Sequence, residues 1–298
     1  MSIDALRTDD SRFADLPDFA YLPHYLDDLP GYQGLRMAFI DEGPRDGAVV
    51  LCLHGEPTWS YLYRKMIPVF TAAGMRVVAP DFFGFGRSDK PTDDAVYTFD
   101  FHRNALLGFI RALDLSSFTL VVQDWGGLLG LTVPVDEPGR IARLLVMNTA
   151  LGVGAAPGPG FIAWRDFMAG TEDLDVARLM QRAVPGLSDA EAAAYGAPFP
   201  GPDYKAGVRR FPQLVPTSPD DAGVAISKAA AAWWSTQWDG PTFMAVGMQD
   251  PVLGPPVMAW LRGVIKGCPE PMEVQQGHFV QESGGEIAEA ALAAWSLR

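Results

Sequence analysis

The segment from Phe118 to Gly127 constrains this chain more than any other. Phe118-Thr119-Leu120-Val121-Val122 is a short apolar run rich in β-branched residues, the pattern of a strand buried on both faces. It passes without a spacer into Gln123-Asp124-Trp125-Gly126-Gly127, where paired glycines permit a sharp turn into a helix. Strand, tight turn and helix in this order present the turn residue at the carboxyl edge of a sheet as a nucleophile. The apex here is Asp124 rather than Ser, and the small residues that usually frame it are incomplete, with Val122 before and Gly126 after. A serine alkoxide attacks carbonyl carbon, whereas a carboxylate can displace a leaving group from saturated carbon and become an ester. The turn therefore argues against an ordinary esterase or lipase and for hydrolysis through an alkyl-enzyme ester.

Around this segment, strand-like runs at 36–40, 49–53, 76–79, 144–147, 243–247 and 272–274 alternate with helical periodicity. That alternation predicts a mostly parallel sheet flanked by helices. Helices are expected at 60–73, after Thr98, after the turn as far as Pro134, at 223–236, at 256–264 and from Glu286. In the helix after Thr98, Leu106, Phe109, Ile110 and Leu113 make one apolar face. The composition changes to Gly, Ala and Pro at 152–160, and the stretch from 160 to about 222 reads as helical, punctuated by Pro, without a strand. The expected organisation is an α/β-hydrolase fold, with a core at 1–151 and 223–298 and an inserted helical cap at 152–222. No internal repeat is visible.

A chain of 298 residues with 48% hydrophobic content can build one large α/β domain with an insertion. The net charge of −13 disfavours nucleic acid and anionic membranes as partners and suits a neutral small substrate. No apolar stretch is long enough to span a bilayer, and residues 1–18 are polar and acidic rather than basic and then apolar. Two cysteines, Cys52 in a strand-like run and Cys268 in a Gly/Pro-rich loop, make no disulfide framework. Unpaired thiols imply a reducing compartment, so a cytoplasmic location is expected; a monomer is expected as well. Gly84-Phe85-Gly86 is too short for a dinucleotide fingerprint and no His/Cys cluster has metal spacing, so neither cofactor nor metal is expected.

A carboxylate nucleophile needs a base to activate water, and the base needs an orienting acid. Of the four histidines, His24 lies in the N-terminal arm, His54 opens a His-Gly turn after a strand, and His102 falls on the expected polar side of its helix. His278 follows the last strand, at the sheet edge where catalytic groups of open α/β sheets collect. Asp250 closes Gly247-Met248-Gln249-Asp250-Pro251 directly after another strand. Asp124, Asp250 and His278 thus occur in the order nucleophile, acid, base, at three strand ends. Backbone N–H groups of Trp125 and Glu56 are the expected oxyanion donors, since Pro57 has none, and Glu56-Pro57 is a candidate cis bond.

The run His54-Gly55-Glu56-Pro57-Thr58-Trp59-Ser60-Tyr61-Leu62-Tyr63-Arg64, with Val121 to Gly127 and the arm Tyr25-Leu26-Asp27-Asp28-Leu29-Pro30-Gly31, resembles the haloalkane dehalogenases over nearly the whole chain. The likeness is to the subfamily whose acid follows the sixth strand of the sheet. It implies Asp124 as nucleophile, His278 as base and Asp250 as acid. It also implies a halide grip by two ring N–H donors, one matching Trp125 and the other, from the cap, matching Trp164 in Phe161-Ile162-Ala163-Trp164-Arg165. Indole N–H donates without competing acceptor capacity, which suits an anion leaving into an apolar pocket. Phe161, Trp164 and Met168 share one helical face, and Trp59, Trp233, Trp234 and Trp238 read as structural. Leu128, Phe161, Phe211, Pro212, Val215 and Val252 are candidates for the pocket wall.

The implied reaction converts a small apolar halogenated substrate and water into an alcohol, halide and a proton. Epoxide hydrolysis is the rival reading, with Tyr195 and Tyr204 as cap acids. Glu56 in place of the aromatic residue usual in that turn, and Trp164, count against it. Trp125 counts against a fluoroacetate dehalogenase, which usually carries Arg there. A ligand-binding member of the fold without turnover is the third reading, disfavoured by a complete triad.

Overall fold

The computed structural model describes residues 3–297. Eight strands form one sheet: β1 (His24–Leu26), β2 (Met37–Glu42), β3 (Val49–Leu53), β4 (Arg76–Pro80), β5 (Phe118–Val122), β6 (Ile141–Met147), β7 (Thr242–Gly247) and β8 (Met272–Val274). Their spatial order is β8-β7-β6-β5-β3-β4-β2-β1, and β2 runs opposite to the other seven, so its pairings with β1 and β4 are antiparallel and the rest parallel. A separate two-stranded ladder joins Ala5–Leu6 to Lys90–Pro91. The sequence places the seven longer-range strands correctly to within a few residues. It misses β1, so Asp250 follows the seventh strand of the sheet and not the sixth, because an edge strand of three residues precedes the one counted first.

Register brings the carboxyl ends level. Leu53 of β3 pairs with Val122 of β5, Val122 with Val146 of β6, Met147 with Ala245 of β7, and Val274 of β8 with Gly247. The loops after β3, β5, β6, β7 and β8 therefore open onto one edge. Strand β5 is buried along its whole length and β3 from Val50 to Leu53, as the apolar runs require.

Helices α1 (Ile67–Ala72), α2 (Phe99–Ala112), α3 (Trp125–Gly130), α4 (Val133–Asp136), α9 (Val224–Thr236), α10 (Pro255–Val264) and α11 (Gly284–Ala294) belong to the alternating pattern. Thr98 caps α2 by accepting from the Phe101 N–H. Residues 60–73 are not one helix: a 3-10 turn spans Ser60–Tyr63 before α1. The helix after Asp124 ends at Gly130, and Pro134 sits in the first turn of α4, where a missing N–H costs nothing.

Between β6 and α9 lie α5 (Pro159–Ala169), α6 (Val176–Ala183), α7 (Asp189–Gly196) and α8 (Ala206–Leu214), with no strand among the described residues. A buried ionic cluster ties α7 to the sheet side. Arg64, with no exposed side-chain surface, donates to both Glu282 oxygens at 2.8 Å, to the Tyr195 hydroxyl at 3.0 Å and to Glu191 at 2.8 Å. Tyr195 in turn donates to Glu282. No helix is long and apolar enough to cross a membrane among the described residues.

Candidate active site

Asp124 sits at φ 48° and ψ −126°, a strained backbone for a non-glycine residue. The strain is held by its surroundings. Its N–H donates to Asn148 O at 2.9 Å, and its carbonyl accepts from Thr149 Oγ1 at 2.7 Å and from the Gly127 and Leu128 N–H groups. Gly126 is obligatory, because a Cβ there would lie 2.0 Å from Leu53 O. Gly55 is equally constrained: a Cβ would lie 2.4 Å from Asp124 Oδ1. This close approach lets the Glu56 N–H donate to Asp124 Oδ1 at 2.8 Å. The Glu56–Pro57 peptide is cis.

His278 meets this turn from the loop after β8. Its Nδ1 lies 2.8 Å from Asp250 Oδ2, and its Nε2 lies 3.5 Å from Asp124 Oδ2. Asp250 is buried and also accepts from Asn148 Nδ2 and the Val252 N–H, each at 2.8 Å. Burial works to raise its carboxyl, but His278, Asn148 and Val252 outweigh it and hold the group well below the usual carboxylate range. Burial likewise works to lower the His278 imidazole, yet Asp250 and Asp124 hold it well above the ordinary histidine value. The Glu56 carboxyl goes the other way from Asp250. Burial and the neighbouring Asp124 push it well above the ordinary glutamate value, and its Oε1 is buried without a partner.

A cavity of about 770 Å³ opens over these groups, mostly apolar in its lining. Asp124, Trp125, Glu56, Asp250 and His278 all border it, as does Trp164 from α5. Of the expected wall residues, Leu128, Phe161, Pro212, Val215 and Val252 line it. Phe211 does not. It is fully buried behind the site, its ring 4.5 Å from Trp125 and 4.6 Å from Phe85, so it backs the indole instead of facing the cavity. The structural tryptophans are committed elsewhere: Trp59, Trp234 and Trp238 donate to Ala194 O, Leu131 O and Thr242 Oγ1. No such bond engages Trp125 or Trp164 among the described residues.

The other histidines stay out of the site. His54 Nε2 accepts from the Phe82 N–H at 2.9 Å, which leaves its Nδ1 to donate to Gly55 O. His102 is not on a polar face but fully buried among Phe101, Tyr97 and Phe211, and burial pushes its imidazole down to about 3. Three neighbours have no role assigned from the sequence, although Gln123 stands in the turn motif itself. Asn148 follows β6 at the same edge and braces both Asp250 and the Gly247 backbone. Gln123 contacts His278. Trp260 of α10 lies at the cavity, 42% exposed. A polar residue directly after a strand at the carboxyl edge was the available signal for Asn148.

Residues 48–284 match the family model described as alpha/beta hydrolase fold. The chain is 46% identical to a haloalkane dehalogenase of Psychrobacter cryohalolentis over 94% of both chains. It is 45% identical to haloalkane dehalogenase 1 of Mycobacterium tuberculosis, covering 97% of this chain and 98% of that one. This chain belongs to the haloalkane dehalogenases. The tetrameric haloalkane dehalogenase DpaA from Paraglaciecola agarilytica NO2 superposes with a TM-score of 0.97 at 54% identity, over 99% of this chain and 100% of that one. DatA from Agrobacterium tumefaciens C58 gives 0.77 at 26% identity, over 96% and 98%. As a haloalkane dehalogenase the protein catalyses hydrolytic dehalogenation. The epoxide alternative is not favoured, and its two tyrosines do not border the cavity: the Tyr195 hydroxyl is spent on Glu282 and Arg64, and Tyr204 lies elsewhere.

Proposed function

We propose that dehalogenation proceeds in two steps on Asp124, inside a site completed by the helical cap at 152–222. The observation that carries this reading is the arrangement of the Asp124 carboxylate. Oδ1 is tethered by the Glu56 N–H, while Oδ2 lies 3.5 Å from His278 Nε2 in a residue that borders the cavity. Oδ2 attacks the halogen-bearing carbon in line, the carbon–halogen bond breaks, and halide departs toward the Trp125 and Trp164 ring N–H groups.

His278 Nε2 then takes a proton from water, and the water oxygen adds to the carboxyl carbon of the ester. The Glu56 N–H and the Trp125 N–H, a donor at the start of α3 without a partner among the described residues, hold the resulting oxyanion. Collapse expels the alkoxide, which recovers the proton from His278. Asp124 is left as the acid and ionises, so the net products are alcohol, halide and a proton. Asp250 holds the imidazole in orientation and balances its charge.

The groups named come from one chain, so a monomer suffices for turnover. DpaA is tetrameric, and light scattering on the purified protein will report the assembly of this one. Two unpaired cysteines support a cytoplasmic location, which cell fractionation tests.

The test of mechanism is halide and alcohol release from 1-bromobutane. Asp124→Ala is expected to release no halide. His278→Phe is expected to release about one halide per site and then stall with a butyl group bound, because alkylation needs no base. Sustained turnover by His278→Phe would remove the role given to His278. If neither 1-bromobutane nor 1,2-dibromoethane yields halide with the unaltered enzyme, the reading falls.

A further inference from the structure

Gln123 stands immediately before the nucleophile, and the two-step scheme makes no use of its side chain. The residue is fully buried. Its amide nitrogen lies 3.1 Å from the His278 carbonyl oxygen and 3.0 Å from His278 Nε2. Its Oε1 is buried and has no partner among the described residues.

These contacts fix which way the amide points. A carbonyl oxygen only accepts, so the NH2 end must face the His278 backbone. Turning the amide over would set oxygen against oxygen in a buried place. The same nitrogen carries a second hydrogen beside Nε2, and a donor there is satisfied only by an unprotonated ring nitrogen. The ring proton then resides on Nδ1, where Asp250 Oδ2 accepts it at 2.8 Å. That is the tautomer a base acting through Nε2 requires.

We propose that Gln123 is a positioning residue for the reaction: its amide N–H holds His278 Nε2 as an acceptor, setting the tautomer and opposing protonation of the base. The proposal rests on His278 being that base. The opposition matters because of what surrounds the ring. Asp250 from the loop after β7 faces Nδ1, Asp124 from the turn after β5 faces Nε2, and both carboxylates favour the imidazolium. Glu56, from the turn after β3, is the third carboxyl of the site, and burial disfavours its charged form. An imidazolium in the resting enzyme would pair with the nucleophile and be unable to deprotonate water. Gln123 works with burial against that state. Incoming water displaces the N–H from Nε2, and the bond to the His278 carbonyl keeps the amide in place to re-form the contact.

The test is the pH dependence of ester hydrolysis, followed as alcohol release after a single alkylation. Gln123→Met keeps the length and removes the donor. Its acidic limb is expected to move up by about half to one pH unit, so that the rate at pH 6 falls several-fold more than the rate at pH 9. Gln123→Glu supplies an acceptor for the imidazolium and is expected to move the limb further the same way. An equal loss at every pH, as a packing role would give, overturns the proposal.

If the variants do not fold, the unaltered enzyme with 15N-histidine decides. On the alkaline side of its titration the His278 signal, assigned by its loss in His278→Phe, is expected to show a bare Nε2 and a protonated Nδ1, and a neutral ring protonated on Nε2 overturns the proposal. Failure of the underlying reading looks different: His278→Phe would then keep turning over.

Discussion

Asp250→Asn separates the two chemical steps, and its size follows from the contacts of the carboxylate. Asp250 Oδ2 accepts from His278 Nδ1 and Asn148 Nδ2, and Oδ1 accepts from the Val252 N–H. Asparagine has one acceptor oxygen for these three donors. Placing that oxygen toward His278 and Asn148 leaves an amide hydrogen facing the Val252 N–H, a clash worth about 1–3 kcal/mol. The opposite orientation creates two such clashes, so the first prevails and the imidazole keeps its tautomer. What is lost is charge. At 2.8 Å and an effective dielectric near 20, a carboxylate attracts an imidazolium by about 6 kcal/mol before solvation offsets are counted. A neutral amide recovers part of this, which leaves a penalty of about 4–5 kcal/mol on the step that forms imidazolium, or roughly a thousand-fold or more in rate. Alkylation forms no imidazolium and should be slowed far less. Rapid-quench measurement with 1-bromobutane should therefore show a burst near one halide per site, then hydrolysis slower by three orders of magnitude or more. Turnover within tenfold of the unaltered enzyme would refute the charge argument. Absence of the burst would show that Asp250 supports the nucleophile as well.

Trp164→Phe deletes one candidate halide donor and should weaken bromide binding by roughly five- to a hundred-fold, read from quenching of tryptophan fluorescence; unchanged affinity would return Trp164 to a packing role. Glu56→Gln bears on stability through its buried carboxyl. Because the folded state raises this group above its unfolded value, the folded chain keeps a proton that the unfolded chain gives up, and stability is lost as pH rises from about 4.3 through the folded value. Glutamine removes that loss, so Tm should rise by about 3 °C or more at pH 8 and little at pH 4, and an equal change at both would refute the assignment. Arg64→Met leaves Glu282 with Lys65 as its remaining cation and should cost about 3 kcal/mol, a fall in Tm of roughly 6–12 °C by calorimetry.

What could be read from the sequence followed the strength of local signals. Central strands such as β3 and β5 are unbroken apolar runs, and their ends were placed to the residue. Strand β1, His-Tyr-Leu at the sheet edge, has neither the length nor the alternation to announce itself, and its absence shifted the strand count at Asp250. The triad was legible because each member abuts a strand end, and register then brings those ends level. Phe211 and His102 were misplaced for a common reason. Phe211 shares α8 with Pro212, which lines the cavity, and periodicity cannot tell the wall from the layer behind it; His102 is polar by composition yet packs among Tyr97, Phe101 and Phe211, which periodicity cannot foresee either. The roles of Gln123 and Asn148 are not legible in the sequence because they lie in partners more than a hundred residues away.

The ionic cluster at Arg64 divides the segment between β6 and β7 into two parts with different freedom to change. Helix α7 shares Glu282 with a 3-10 turn, Val280–Ser283, that begins two residues after His278, so it is part of the frame that seats the base. Helices α5 and α8 supply cavity wall and take no part in that cluster. Chimeras with other haloalkane dehalogenases should therefore tolerate exchange of α5 or α8 and acquire new substrate ranges, whereas replacing α7 alone should cost turnover on every substrate alike.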